Sequence, residues 1–333
     1  MKQIINEELI QFIPMVSISM LTFNHERYIE RAIVSVLEQE TTFPYQLIIG
    51  EDCSTDSTRE IVLKYAHMYP DKIVAILHNE NGGIENNVLS VRKFLRGKYI
   101  AILEGDDFWC DKLKLQKQVN FLENRTDFVA VCHKHLDVDE YGNEITGLYK
   151  VELNSGYSPS KYYDKNELSK YYLAGHASSL LYLNIFNILN HNQIRIYNQC
   201  NVVGDRKLNL VLAFLGKVYR LDDVMSAYRH HTSSWTKSYK VESLSYYGYL
   251  SISNLEKLAY DMFGKKLSFD YGRMKSWYGV CCDFVKNPSI SRFKILLKVL
   301  NDGNRFKKIL FLFSHTLSYP YRRYIKNRID CLL

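Results

Sequence analysis

Residues 101–109, AILEGDDFW, run from apolar side chains straight into three carboxylates, Glu104, Asp106 and Asp107. Carboxylates this close repel one another, and burying them costs on the order of several kcal/mol unless a positive charge lies between them. Glu and Asp supply the hard oxygen ligands that Mg²⁺ or Mn²⁺ prefers, and such an ion bridges a diphosphate and stabilises it as a leaving group. The alternative is a solvated acidic turn in which Asp107 caps the following helix.

The first half of the chain alternates short β-branched runs with amphipathic helical patterns, which predicts a parallel sheet covered by helices. Strands are expected at 16–22, 45–51, 72–77, 98–103 and 128–133. Helices are expected from just after Asn24 to Glu40 and at about 57–68, 86–95 and 112–123, the second opened by a Ser57/Glu60 capping box. In open α/β sheets ligands bind beyond the carboxyl ends of the strands. Polar residues stand at four such ends: Asn24, Asp52, Asn79 with Asn81, and Glu104 with Asp106. Asn24 either supports a ligand or caps its helix, and Asp52 either accepts from a ligand or forms a turn. Neither G-x-G-x-x-G nor G-x-x-x-x-G-K-[ST] follows the first of these strands, so a diphosphate would need its charge neutralised by something other than a glycine loop.

Beyond residue 139 the pattern weakens. DEYGNE (139–144) reads as a hairpin turn, 157–168 as a loop leading to a helix, and 204–217 as a short helix with Asp205 in its first turn. By chemistry alone Asp205 is either a proton acceptor or a partner of the helix dipole. From about 237 the chain is helical and rich in Tyr, Lys and Phe. The formal net charge is +7, and the segment from Lys286 onward carries a local excess of cations that suits phosphate-bearing partners. Phe293, Leu296, Leu297 and Leu300 share one helical face, and Phe306, Ile309, Leu310, Phe313 and Leu317 another. Such faces serve either core packing or attachment to an anionic membrane. No nucleic-acid reader motif accompanies the basic tail. Seven cysteines without a C-x-x-C pair suggest neither a disulfide framework nor a zinc ribbon, and with no secretory pattern at the start a cytoplasmic protein is expected.

Three segments, VSISMLTFNHERYIERAIVSVLEQ, IIGEDCSTDST and YIAILEGDDFWCDKLKLQKQVNFLE, occur in order and resemble the nucleotide-binding half of family 2 glycosyltransferases with the GT-A fold. The resemblance implies that Glu104-Gly105-Asp106 stands where the family has its D-x-D motif for metal and sugar diphosphate, Glu replacing the first Asp. It also implies that Asp52 contacts the donor base, where a carboxylate suits the N3–H of uracil or thymine. HASSLLYLN (176–184) is similar to the family's segment near the acceptor, with Leu183 where an arginine is often found. GDRKLNLVLAFLGKVYRLDDVMSAYRHHTSSW (204–235) resembles the closing section, which implies Asp205 as catalytic base and His231 as a contact to diphosphate or metal.

The expected fold is thus a Rossmann-like α/β GT-A domain over 1–236, with 14–135 holding the nucleotide sugar and 136–236 the acceptor, followed by a helical basic extension over 237–333. The function implied is inverting, Mn²⁺- or Mg²⁺-dependent transfer of a sugar from a UDP- or dTDP-linked donor to a glycan or lipid-linked acceptor, in bacterial surface polysaccharide synthesis. Donor contacts would come from Asn24, Asp52, Asn81, Glu104 and Asp106, metal contacts from Asp106, Glu104 and His231. The rival reading is a nucleotide-sugar-binding scaffold without turnover, which needs no base. The location expected is cytoplasmic, with peripheral attachment to the inner face of the membrane.

Overall fold

The computed structural model describes residues 2–145, 157–202, 204–231, 244–286 and 288–301. The apolar face from Phe306 to Leu317 and the basic stretch 319–328 lie outside them. The chain divides into two units, Met1–Leu168 with Tyr172–Gln199 and Val203–Ser238, and Ser169–Tyr171 with Cys200–Val202 and Tyr239–Leu333.

The first unit is built on one sheet of ten strands. Its centre is parallel: β2 (Val16–Thr22), β3 (Tyr45–Glu51), β4 (Ile73–His78) and β5 (Tyr99–Glu104), in the order β4-β3-β2-β5. These strands are apolar along nearly their whole length because helices cover both faces. Alternate residues therefore enter different cores. Leu47, Ile49, Ile73 and Ala75 pack with Ile29, Ile33 and Val36 of α1 (Ile29–Leu37), Val62 and Ala66 of α2 (Thr58–Met68) and Leu115 and Val119 of α4 (Lys114–Glu123). Ile48, Val74 and Ile76 meet Val91 of α3 (Gly83–Arg92) on the other side. Emptying one such site, as in Ile33→Ala, removes side-chain contacts worth about 2–5 kcal/mol.

Outside this centre the sheet is mixed, which the strand pattern did not anticipate. β1 (Lys2–Ile5) runs antiparallel along β4 at one edge. β5 and β7 (Phe128–Val138), the last two of the expected strands, are separated by β9 (Leu181–Leu183), antiparallel to both. β10 (Lys217–Arg229) continues parallel to β7 with register shifts, then pairs with β6 (Phe108–Trp109) and β8 (Tyr162–Tyr163). Three residues carry too little alternation to announce a strand. The expected hairpin at 139–144 is present, with Val138 bridging Glu144 and the Gly142 N–H donating to the Asp139 carbonyl at 3.0 Å.

Two local expectations are corrected. Ser57 precedes α2 but its hydroxyl makes no capping bond; Asp56 takes that place, its Oδ1 accepting from Thr58 N at 3.0 Å. Asp107 caps no helix, because α4 opens seven residues later and Asp111 accepts from Leu113 N at 2.8 Å there.

The second unit contains helices Leu244–Phe263, Asp270–Lys286 and Ile290–Asn301. Its core is Tyr249, Trp277, Tyr278, Val280, Ile295 and Val299. No helix among the described residues is long and apolar enough to cross a membrane.

Candidate active site

In the central order β3-β2-β5 the chain winds outward in both directions from β2, and a crevice opens at the carboxyl ends of such strands. Leu21 pairs with Glu104 across β2 and β5, and the Gly105 N–H donates to the Leu21 carbonyl at 2.9 Å. The glycine is sterically required. A Cβ at 105 would stand 2.8 Å from Thr22 Oγ1, 2.9 Å from Thr22 Cβ and 2.9 Å from His25 Nδ1. Gly105→Ala is therefore expected to lower stability by about 1–3 kcal/mol through overpacking. A thermal melt that matches the parent protein would refute this.

The turn after β5 brings Glu104, Asp106 and Asp107 together, with oxygens within 4.8 Å of one another. The three carboxylates nevertheless have different surroundings. Asp107 is buried and committed: Oδ1 accepts from Arg229 N at 2.9 Å, and Oδ2 accepts from the Ser178 hydroxyl. Burial and the adjacent Asp106 and Glu104 charges raise its pKa well above the usual carboxylate value. Arg229, at the end of β10, also donates from Nε to the Asp106 carbonyl at 2.7 Å and from Nη1 to the Glu140 carbonyl at 2.9 Å, so it fastens this turn to the 139–144 hairpin.

Asp106 lies between two imidazoles. His231 Nε2 is 3.0 Å from its Oδ2 and His25 Nε2 3.8 Å from the same oxygen. Burial alone would raise the Asp106 pKa; the hydrogen bond to His231 and the charges of His25 and His231 outweigh it and hold the carboxyl below its ordinary value. Glu104 has no such partner. Its side chain takes no hydrogen bond among the described residues, and burial, with the charges of Asp106 and Asp205, pushes its pKa up to about 8. A partly buried carboxylate without a donor, beside an ionised one, is a donor set that fits a divalent cation.

Asp52 follows β3 and is buried, with Oδ1 accepting from Gly82 N at 2.9 Å. Its other oxygen takes no hydrogen bond among the described residues. The loop behind it is tightly held. Buried Glu51 accepts from Ser54 N at 2.6 Å and from Arg59 Nε at 2.5 Å, and Cys53 takes the left-handed conformation at φ 60°. Asn24, also left-handed at φ 55°, accepts from Thr55 N at 2.8 Å through Oδ1 and donates its own N–H to Ser54 Oγ at 3.0 Å. The helix-capping alternative for Asn24 is thus corrected: α1 starts only at Ile29, and the asparagine ties the β2 loop to the loop carrying Asp52. Asn81 is exposed in the turn before α3, its Oδ1 accepting from Gly83 N at 3.2 Å.

Asp205 sits in the first turn of α7 (Gly204–Leu215), where Oδ1 accepts from Arg206 N at 2.6 Å. Asn209, one turn on, donates to the Asp205 carbonyl at 2.8 Å and accepts from Ala174 N at 2.8 Å, which fixes this turn against the 174–179 segment. The charge of Asp205 is felt at both Glu104 and Tyr157. Tyr157 borders a cluster of rings, 5.7 Å from His135 and 6.4 Å from His176; His176 lies 5.2 Å from His135 and 4.4 Å from Tyr228, which in turn lies 4.7 Å from His230. His230 is held by Asp137 at 2.6 Å.

Sequence reasoning named the carboxylates but missed the groups that orient them. His25 stood beside Asn24 and Arg229 stood inside the quoted Y-R-H-H stretch; His25 meets Asp106 only because β2 lies beside β5, and Arg229 meets the 106–107 turn only because β10 pairs with β6. Ser178 and His176 reach Asp107 through a short 3₁₀ turn that carries no periodic signal.

The sequence pattern of glycosyl transferase family 2 matches residues 17–189. An uncharacterized protein of Mycobacterium tuberculosis is 28% identical over 323 residues, covering 94% of this chain and 87% of its own. Among solved structures the fold is similar to that of Staphylococcus aureus TarS 1–349 in complex with UDP-GlcNAc, with a TM-score of 0.62 at 16% identity over 86% of this chain and 80% of that one. It is also similar to the mannosyltransferase PcManGT of Pyrobaculum calidifontis in complex with GDP-Man and Mn²⁺, with a TM-score of 0.52 at 14% identity over 95% and 84% of the two chains. With its pattern matched over residues 17–189, from β2 past β9, the chain belongs to glycosyl transferase family 2 and is a glycosyltransferase.

Proposed function

We propose that this enzyme transfers a sugar, in one inverting and metal-dependent step, from a UDP- or dTDP-linked donor to a hydroxyl of a glycan or lipid-linked acceptor in bacterial surface polysaccharide synthesis. The observation that carries this reading is Glu104, without a hydrogen-bond partner among the described residues, beside ionised Asp106 at the carboxyl end of β5, with the charge of Asp205 felt at Glu104 and at Tyr157, whose ring lies 5.7 Å from that of His135.

In this reading Glu104 and Asp106 hold Mn²⁺ or Mg²⁺, with His231 as a further contact. The cation, when bound, supplies the positive charge that a departing nucleoside diphosphate needs. Asp52 offers its unshared oxygen to the N3–H of the base, while Asn24 acts on the donor indirectly by holding the 52–55 loop. Asn81 flanks the same pocket through the turn that begins α3. Asp205 takes the proton of the acceptor hydroxyl as that oxygen attacks the anomeric carbon from the face opposite the leaving group. Rings such as Tyr228 and His176 give a sugar acceptor apolar faces and hydrogen-bonding edges together. A lipid-linked acceptor would place the enzyme on the cytoplasmic side of a membrane, held peripherally.

Thermal stabilisation across a panel of nucleotide sugars tests the donor assignment. UDP- or dTDP-linked sugars with Mn²⁺ are expected to raise the melting temperature, and ligand at 100 times its Kd adds about 2.7 kcal/mol. Stabilisation by adenine nucleotides alone would overturn it.

A further inference from the structure

The Ile290–Asn301 helix is apolar on two sides. Ile295 and Val299 are buried in the core of the second unit, as their spacing of four demands. The sequence expectation of one face through Phe293, Leu296, Leu297 and Leu300 is divided by the structure: Leu296 packs partly against that core, whereas Phe293 and Leu297 point away from it. Ile290, Phe293 and Leu297, at intervals of three and four, form a second stripe on the outer side, exposed by 78%, 48% and 43%. Phe284 extends the stripe, its ring 5.8 Å from that of Phe293, and neighbouring Val285 is 55% exposed. An outward helix face is ordinarily polar, and a contiguous apolar one marks an interaction surface.

The charges around the stripe say what kind. From Phe284 to Asn301 the chain carries Lys286, Arg292, Lys294 and Lys298 and not one carboxylate. Lys294 and Lys298 are exposed and form no ion pair among the described residues. Apolar side chains flanked by lysines on one exposed face match the two layers of an anionic bilayer surface, acyl chains beneath and phosphates above.

We infer that the Ile290–Asn301 helix lies in the surface of an anionic membrane, with Ile290, Phe293 and Leu297 entering the acyl boundary and Lys294 and Lys298 meeting lipid phosphates. The inference rests on the reading of a peripheral enzyme and names the surface that does the attaching. A protein groove would need its own carboxylates opposite Lys294 and Lys298; a lipid leaflet presents anions everywhere along the helix.

Co-sedimentation of the full chain with vesicles of phosphatidylcholine, with and without about one third phosphatidylglycerol, tests it. The intact protein is expected to bind the anionic vesicles and to lose binding as salt rises. Replacing Ile290, Phe293 and Leu297 with serine should lower the bound fraction at least about tenfold, and Lys294→Gln with Lys298→Gln should reduce partitioning about tenfold. Because all five side chains are exposed, both variants should keep the donor-induced thermal shift of the parent, which separates lost attachment from misfolding. Anionic-vesicle binding that persists undiminished in the variants would overturn this assignment while leaving peripheral attachment intact. Failure of the intact protein to bind either vesicle, or equal binding to both, would overturn the two together.

Discussion

Asp205→Asn is expected to leave donor affinity unchanged and to lower turnover by about two to four orders of magnitude. The amide preserves shape and still accepts from Arg206 N through its carbonyl oxygen, so the first turn of α7 keeps the bond that the carboxylate makes at 2.6 Å. Asn209 continues to tie the Asp205 carbonyl to Ala174, so the backbone has no cause to move. What disappears is the proton acceptor. A purely helix-capping Asp205 predicts a different outcome, a loss of stability of about 1 kcal/mol or less with catalysis preserved. Single-turnover kinetics at saturating donor, paired with nucleotide titration, decides between them. If Asp205→Asn turns over normally, the base is another group, and Asp222 or Asp223 on β10 become the carboxylates to replace.

Asp106→Ala is expected to abolish metal-dependent donor binding together with activity, and excess EDTA should do the same to the parent enzyme. The substitution removes the ionised member of the pair and leaves His231 and His25 without the carboxylate they share. Undiminished donor binding in EDTA would end the metal assignment. The same site should show its protonation state. Glu104 is pushed up to about 8, so at neutral pH the metal-free pair retains a proton that a cation must displace. Metal affinity is therefore expected to rise with pH, by up to about tenfold per unit, and to level off above about 8. The effect on stability has the opposite direction. A carboxyl whose folded pKa exceeds its ordinary 4.5 favours the folded state while protonated, and that contribution is lost as pH climbs from about 4.5 through 8. Metal-free protein should thus melt lower at pH 8 than at pH 6 from this group, and Mn²⁺ should restore the difference. Calorimetric titration in buffers of different ionisation enthalpy reads the released proton directly.

The parallel centre of the sheet and the positions of its acidic residues were legible in the chain. Strands buried on both faces need continuous apolar runs, and the polar residue after each run, Asp52 or Glu104, marks the carboxyl end of the strand. Asp106 stands just past the break of that apolar run, and Asp205 where the helical period of α7 opens. The tertiary structure decided what these groups do for one another. Asp107 is indistinguishable from Asp106 by spacing, yet Ser178 and the Arg229 backbone claim both of its oxygens, and those partners lie 71 and 122 residues away. Asn24 reads as a helix cap until residues 25–28 turn away from α1 and its side chain meets Thr55, 31 residues on. β9 is too short to have a period, and its place between β5 and β7 follows only from the edges those strands leave open. On the Ile290–Asn301 helix, 3.6-residue periodicity shows that apolar faces exist but not which one the core takes, because that depends on where Trp277 and Tyr249 stand. Local patterns report burial and turn formation; the pairing of charges across the crevice is a long-range choice that only the packed chain makes.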